Sequence, residues 1–174
     1  MTDDELIARA NLGEAAAFEE LYRRYRDWVV RLALRFTATE EDAYDVLQET
    51  FAYFFRKFPG FELTAALKTF LYPVVKHIAL DLRRKRRPAA DVDELAEVLP
   101  APAVSESASD VARILESLPP LHREVALLRF VDDLSLPQIA AALDVPLGTV
   151  KSRLHHAVAA LRKANRGGKF FEAP

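Results

Sequence analysis

The side chains with the most chemistry to offer are Thr149, Lys151, Ser152, Arg153, His155 and His156, all within one short segment. At helical spacing they lie on or beside the side opposite Val150, Leu154, Ala157 and Leu161, which point one way. Hydrogen-bond donors and cations on the N-terminal half of an exposed helix are suited to base edges and phosphates in a DNA major groove. The preceding residues supply the parts that would aim such a helix. Ser135 is placed to cap a first helix, with Gln138 as its capping-box partner and Pro137 tolerated in the first turn. Ile139, Ala140 and Leu143 give that helix an apolar face, Asp144-Val145-Pro146 breaks it, and Pro146 fits the first turn of the second. The pattern is a helix-turn-helix. A plain helical hairpin with a solvated charged face shares its periodicity, but the coincidence of cap, break and basic exposure favours DNA.

Arg83, Arg84, Lys85, Arg86 and Arg87 form a second basic feature, five consecutive cations closing a helix. A helix C-terminus favours cations through its dipole, and five exceed what that role needs. Other patterns point away from catalysis. Asp42, Asp45 and Glu49 resemble a carboxylate cluster for Mg²⁺, yet helical spacing sets Asp45 and Glu49 on one exposed ridge with Gln48 beside them. That arrangement fits a solvated or partner-binding face better than a metal site. His155 and His156 are adjacent and diverge by about 100°, so they do not form an i, i+4 metal pair. No glycine pattern matches a phosphate loop, no serine sits in a nucleophile elbow, and cysteine is absent. The expectation is a protein that is not an enzyme and has no cofactor or metal.

The elements that must position these groups read as helices throughout. Phe18, Leu21, Tyr22, Tyr25, Val29, Leu32 and Phe36 trace one stripe. A second helix is expected from Thr39, with Asp42 completing a capping box, burying Ala43, Val46, Leu47, Phe51, Phe54 and Phe58 and ending at Pro59-Gly60. A third is expected from about Ala65 to Arg87 with Leu67, Leu71, Val74, Ile78 and Leu82 inward. Together they make an antiparallel bundle. Residues 89–109 read as a linker rich in proline and small residues. A second domain is expected over 110–166, with Val111, Ile114, Leu115 and Leu118 on one helix and Val125 and Leu128 on the next. A tail covers 167–174. The expected class is all-α, two small helical domains joined by a flexible acidic linker.

Charge follows the same division. The 174 residues carry a net charge of −2, which by itself argues against nucleic acid. Residues 1–88 hold 15 Lys and Arg against 14 Asp and Glu, and residues 109–174 hold nine against seven. Residues 89–108 hold five acids and no base, so both expected domains are slightly basic. Met1–Glu5 is acidic with no apolar stretch after it, unlike a signal peptide, and no apolar run approaches the ~20 residues of a membrane span. The expected location is cytoplasmic.

Four blocks in order carry a resemblance: DELIARANLGEAAAFEELYRRY, DAYDVLQETF, TFLYPVVKHIALDLRRKRR and LPPLHREVALLRFVDDLSLPQIAAALDVPLGTVKSRL. They span nearly the whole chain, which resembles an extracytoplasmic-function sigma factor, a compact bacterial transcription initiation factor. The resemblance implies sigma domain 2 over 1–88 and sigma domain 4 over 110–166. It implies binding to core RNA polymerase through the β′ clamp helices and the β flap, with recognition of promoter −10 and −35 elements. On that footing Asp45, Gln48 and Glu49 would meet the polymerase. Phe61, Leu67, Lys68, Lys76, His77, Arg83, Arg84 and Arg86 would bind and open the −10 element, where an unstacked base needs a pocket and the strand needs cations. Thr149, Lys151, Ser152, Arg153, His155 and His156 would read the −35 duplex. An anti-sigma factor is a further implied partner, and the free protein is expected to be a monomer.

Several residues depart from the family pattern. Phe70 stands where Trp is usual, His77 where Asn is common, Tyr44 where an acid is common, and His156 where Arg is frequent. The last change removes a permanent charge and a bidentate guanine reader. Pro73 is expected to kink or loosen the third helix near Thr69. Two other functions fit parts of the sequence: a free-standing dimeric helix-turn-helix regulator, and a protein with the sigma fold that only titrates partners. The regulator would need paired half-sites and no acidic ridge.

Overall fold

The computed structural model describes residues 1–86 and 115–165. The chain divides into two compact units, Met1–Leu99 and Pro100–Pro174. Among the described residues there are seven complete helices and no strand. Those of the first unit are α1 (Asp3–Asn11), α2 (Ala15–Ala33), α3 (Glu40–Phe55) and α4 (Leu67–Arg86). Those of the second are α5 (Pro120–Phe130), α6 (Leu136–Leu143) and α7 (Leu147–Asn165). The expected linker, the tail, Arg87, Val111 and Ile114 lie outside the described residues.

α1 is the helix the aromatic periodicity does not announce. Thr2 and Glu5 close a reciprocal capping box, and Asp3, Asp4 and Glu5 set negative charge on the N-terminal dipole. Gly13, at φ +82°, turns the chain into α2. Asp3 then ties α1 down: it accepts a bond from the Tyr25 hydroxyl and pairs with Arg24 at 2.7 Å. Burial, and secondly the bond to Asp3, push the Tyr25 phenol above its ordinary pKa.

α2 buries Leu21, Tyr25, Val29 and Leu32 as its stripe predicts, with Trp28 buried beside them. Phe18 and Tyr22 are only half-buried, because they meet aromatic rings of α3 edge-on instead of entering the centre. Thr39 caps α3 by accepting from the Asp42 N–H at 3.1 Å. The Asp42 carboxylate does not complete the box in return and pairs with Arg86. α3 ends at Phe55, before Pro59-Gly60, so Phe58 belongs to the following loop and is half-buried.

The inward line of α4 differs from the expected one. Leu67, Leu71, Tyr72, Val75 and Ala79 are buried, whereas Val74, Ile78 and Leu82 are half-buried. Successive steps of four residues advance ~400°, so the buried line drifts around the helix while α4 packs against both α2 and α3. Pro73 lies inside α4 on its exposed side and does not end it. The Thr69 carbonyl thereby lacks its helical donor.

In the second unit Pro119 precedes α5, which buries Val125, Ala126 and Leu128. Leu118, Ala126 and Ala157 form a small core to which Leu115 and Leu161 add. Arg123 fastens the entry to α5, donating to the carbonyls of Leu115 (2.9 Å), Glu116 and Leu118 (3.3 Å). The expected capping box of α6 is present, Ser135 with Gln138 in both directions. Asp144, at φ 52° and ψ 49°, makes the left-handed turn that ends α6. Pro146 sits one residue earlier than expected: it precedes α7, and its carbonyl accepts from Thr149 (2.9 Å) and Val150 (3.3 Å). Val150 and Ala157 are fully buried, with Leu154 and Leu161 half-buried beneath them.

Candidate functional site

The loop between α3 and α4, residues 56–66, is built on aromatic rings. Phe61 is half-buried, with ring centroids 5.2 Å from Phe54, 5.4 Å from Phe58 and 4.9 Å from Phe70. Tyr53 stacks nearly parallel to Phe70 at 6.5 Å, and the Lys57 ammonium lies 4.5 Å from the Tyr53 centroid. The result is a half-exposed ledge of rings with a cation at its edge, the composition that holds unstacked bases. Phe61 fits its expected role there. Leu67 does not: it is 0 % exposed, the first residue of α4 and part of the bundle core, so no base can touch it. Its place in the apolar line of α4 is the reason.

The cations expected beside the loop are already occupied. Arg86 pairs with Asp42 and, at 3.1 Å, with Asp45. Arg84 pairs with Asp81, whose other oxygen lies 3.2 Å from His77 Nε2. The bond from Arg84 is the main cause holding the Asp81 carboxyl below its usual range, with the His77 charge helping and burial opposing. Lys68 lies 5.7 Å from the centroid of Trp28, and Lys76 lies 6.0 Å from that of Phe36. Arg83 is half-buried, its side chain engaged within the protein.

The acidic ridge of α3 is exposed at Gln48 and Glu49 and half-buried at Asp45. Tyr44 is 53 % exposed on the same helix. A shallow groove runs alongside between α2 and α3, lined by Tyr22, Arg26, Val30, Arg31, Leu47 and Gln48. Asp45 thus serves two settings, the ridge and the Arg86 pair. With Arg86 and Asp45 each about half-exposed, that pair is a surface interaction worth only ~0–1 kcal/mol and is displaced easily.

In the helix-turn-helix, Lys151, Ser152, His155 and His156 are exposed, and Thr149 and Arg153 are half-buried. The rigid α6, its cap and the Asp144 turn present the N-terminal half of α7 to solvent. His156 stacks on His122 of α5 with centroids 5.5 Å apart, and His155 meets His156 edge-on at 5.8 Å. Partial burial first, then the positive fields of His156 and Arg153, lower the pKa of His122. Among the described residues no group of three or more His, Asp or Glu is placed to hold a metal ion.

Residues 21–89 match Sigma-70 region 2, and residues 108–161 match Sigma-70, region 4. The chain is 30% identical to the ECF RNA polymerase sigma factor SigW of Bacillus subtilis, over 92% of this chain and 95% of that protein. It is 33% identical to the ECF RNA polymerase sigma-E factor of Escherichia coli, over 90% and 91%. The chain belongs to the ECF sigma factors. It is a DNA-binding regulator that directs promoter-dependent initiation of transcription. Two solved structures share its fold. CnrH, in complex with the cytosolic domain of CnrY, has a TM-score of 0.69 at 26% identity, covering 96% of this chain and 99% of CnrH. RpoE of Bartonella quintana, in a co-crystal with the anti-sigma factor NepR, has a TM-score of 0.67 at 22% identity, covering 87% and 98%.

In the sigma factor, the region 2 match covers the ridge, the loop and α4, and the region 4 match covers α5 and the helix-turn-helix. Asn11, Lys57, Tyr53 and Phe58 are residues of the loop site that sequence reasoning missed. The rings carried a signal, the density of aromatics over 51–61, which was spent on the core. Asn11 carried none, since its partners lie 49 and 50 residues away.

Proposed function

We propose that the sigma factor binds core RNA polymerase through the α3 ridge and recognises two promoter elements with its two units. Asp45, Gln48 and Glu49, with the neighbouring groove, would dock the β′ clamp helices, where an acidic, amide-bearing ridge complements a basic helical partner. A second contact, to the β flap, falls to the unit that carries the helix-turn-helix. Thr149, Lys151, Ser152, Arg153, His155 and His156 would read the −35 duplex from the major groove. Phe61, with Phe70 and Tyr53, would hold bases unstacked from the −10 element, and Lys68, Lys76, His77, Arg83, Arg84 and Arg86 would contact the strand backbone. The observation that carries the reading is the half-exposed aromatic ledge at the α3–α4 loop, in one chain with an exposed recognition helix.

The assigned division is 1–88 and 110–166 with an acidic linker at 89–109 and a tail at 167–174. The protein works as a monomer beside the polymerase in the cytoplasm, with no catalytic step, cofactor or metal of its own, and no membrane insertion. Among the described residues no helix is long and apolar enough to cross a membrane. The likeness to CnrH, solved with the cytosolic domain of CnrY, supports control by an anti-sigma factor. Run-off transcription with purified core polymerase tests the reading. Specific transcripts that require both proteins are expected. Operator binding as a dimer without core, or loss of transcription by another sigma factor with no new start sites, would refute it.

A further inference from the structure

We propose that Asn11 is a positioning residue for base capture: its carboxamide fixes the Gly60–Phe61 main chain and thereby the Phe61 ring. The inference rests on the reading that the α3–α4 loop captures −10 bases, and it adds a residue from α1 to that site.

The contact set uses both ends of the carboxamide. Asn11 Oδ1 accepts from the Gly60 N–H at 2.7 Å and the Phe61 N–H at 3.1 Å, and its Nδ2 donates to the Phe61 carbonyl at 2.9 Å. Donor and acceptor partners at opposite ends also fix the amide orientation, because the flipped form would lose all three bonds. Gly60, at φ +98°, adopts a backbone that other residues resist, and in it two successive N–H groups converge on one acceptor. Without Asn11 these three backbone groups would need water, and the loop would exchange among conformers.

The anchor is itself rigid. Asn11 is the last residue of α1, whose first turn is held to α2 by Asp3 through Tyr25 and Arg24. Arg9, two residues before Asn11, pairs with Glu14 at the start of α2. The Phe61 ring leaves this fixed backbone to meet Phe54, Phe58 and Phe70. Base stacking is lost when a ring is misplaced by about an ångström, so a loop held before the base arrives spares ordering cost at capture. Only a primary amide serves. Aspartate keeps the two accepted bonds and sets a carboxylate against the Phe61 carbonyl, and alanine removes all three.

The test uses full-length protein assembled with core polymerase: wild type, Asn11→Ala, Asn11→Asp, Phe61→Ala and the Asn11→Ala/Phe61→Ala double variant. Two DNA probes are compared, a duplex promoter and a fork junction whose non-template −10 bases are unpaired. Asn11→Ala should bind core and duplex within about twofold of wild type and lose about tenfold in fork-junction affinity. Asn11→Asp should lose less. In the Phe61→Ala background the Asn11 change should cost little more, since it acts through that ring. The proposal is overturned by an unchanged fork-junction affinity, by a loss fully additive with that of Phe61→Ala, or by a parallel fall in core binding that marks a purely structural role. A wild-type holoenzyme with no preference for the fork over duplex would instead refute the loop reading itself, and the positioning role with it.

Discussion

Arg86 and Lys151 carry the same charge on two helices matched to DNA-binding sigma regions, yet Arg86 lies against Asp42 and Asp45 while Lys151 stands in solvent. The contrast extends to their neighbours. On α4, Arg84 and His77 share Asp81, and Lys68 and Lys76 lie over aromatic rings. On α7, Lys151, Ser152, His155 and His156 face outward from a helix that buries Val150 and Ala157 on its other side. A recognition helix that meets a closed duplex gains from cations free to replace counterions. A surface that must hold an opened strand relies on rings, because stacking survives where charge is already neutralised within the protein. On the proposed assignment the two units would use different physics for two halves of one promoter.

The largest expected effect lies at the ridge. Changing Asp45 and Glu49 together to Lys should weaken association with core polymerase by at least tenfold, because like charges then face a basic partner. Far-UV circular dichroism should show unchanged helicity, since both positions are on the outer side of α3. Undiminished co-purification with core would remove the ridge from the account.

Next comes the separation of Leu67 from Phe61. Leu67→Ala should destabilise the first unit by about 2–5 kcal/mol, as expected for a fully buried leucine, and lower the thermal midpoint. Phe61→Ala should cost less stability and leave closed complexes that open poorly, seen as reduced permanganate reactivity of −10 thymines. If the two variants behaved alike, the ledge would be core and not a binding surface.

The smallest effect is the pH response of the second unit. The folded-state pKa of His122 is lowered, so the unfolded chain takes up the proton first as pH falls. Its neutral form is fully accommodated above about pH 6.5, and stability should decline below it. His122→Asn should flatten that decline in thermal melts between pH 7.5 and 5. An unchanged profile would assign the sensitivity to other groups.

What was legible in the sequence follows from the range of each interaction. Ser135 with Gln138 and Thr39 with Asp42 act within one turn, so their caps could be read, although the Asp42 carboxylate was claimed by Arg86, 44 residues on. Periodicity placed α2, α3 and α4, but the true inward line of α4 through Val75 and Ala79 depends on what α4 packs against. α1 is short and mostly polar and lacks the aromatic stripe, so only its Thr2–Glu5 capping box signalled it locally, and tertiary bonds through Asp3 hold it. At the candidate site, charge counting located the basic helix end of α4 and could not tell engaged cations from free ones. Leu67 was placed in a pocket by its proximity to the loop, and burial put it in the core.

Salt dependence of promoter binding tests the division between the two units most directly. The slope of log affinity against log salt is measured for wild-type holoenzyme and for Lys151→Ala and Arg86→Ala holoenzymes on one duplex promoter. Each phosphate contact made by a free cation contributes about 0.9 to that slope. Lys151→Ala should therefore reduce it by about one. Arg86→Ala should change it by clearly less, because a cation shared with Asp42 and Asp45 releases fewer counterions on meeting DNA. The opposite order, with Arg86 carrying the full unit and Lys151 little, would contradict the account.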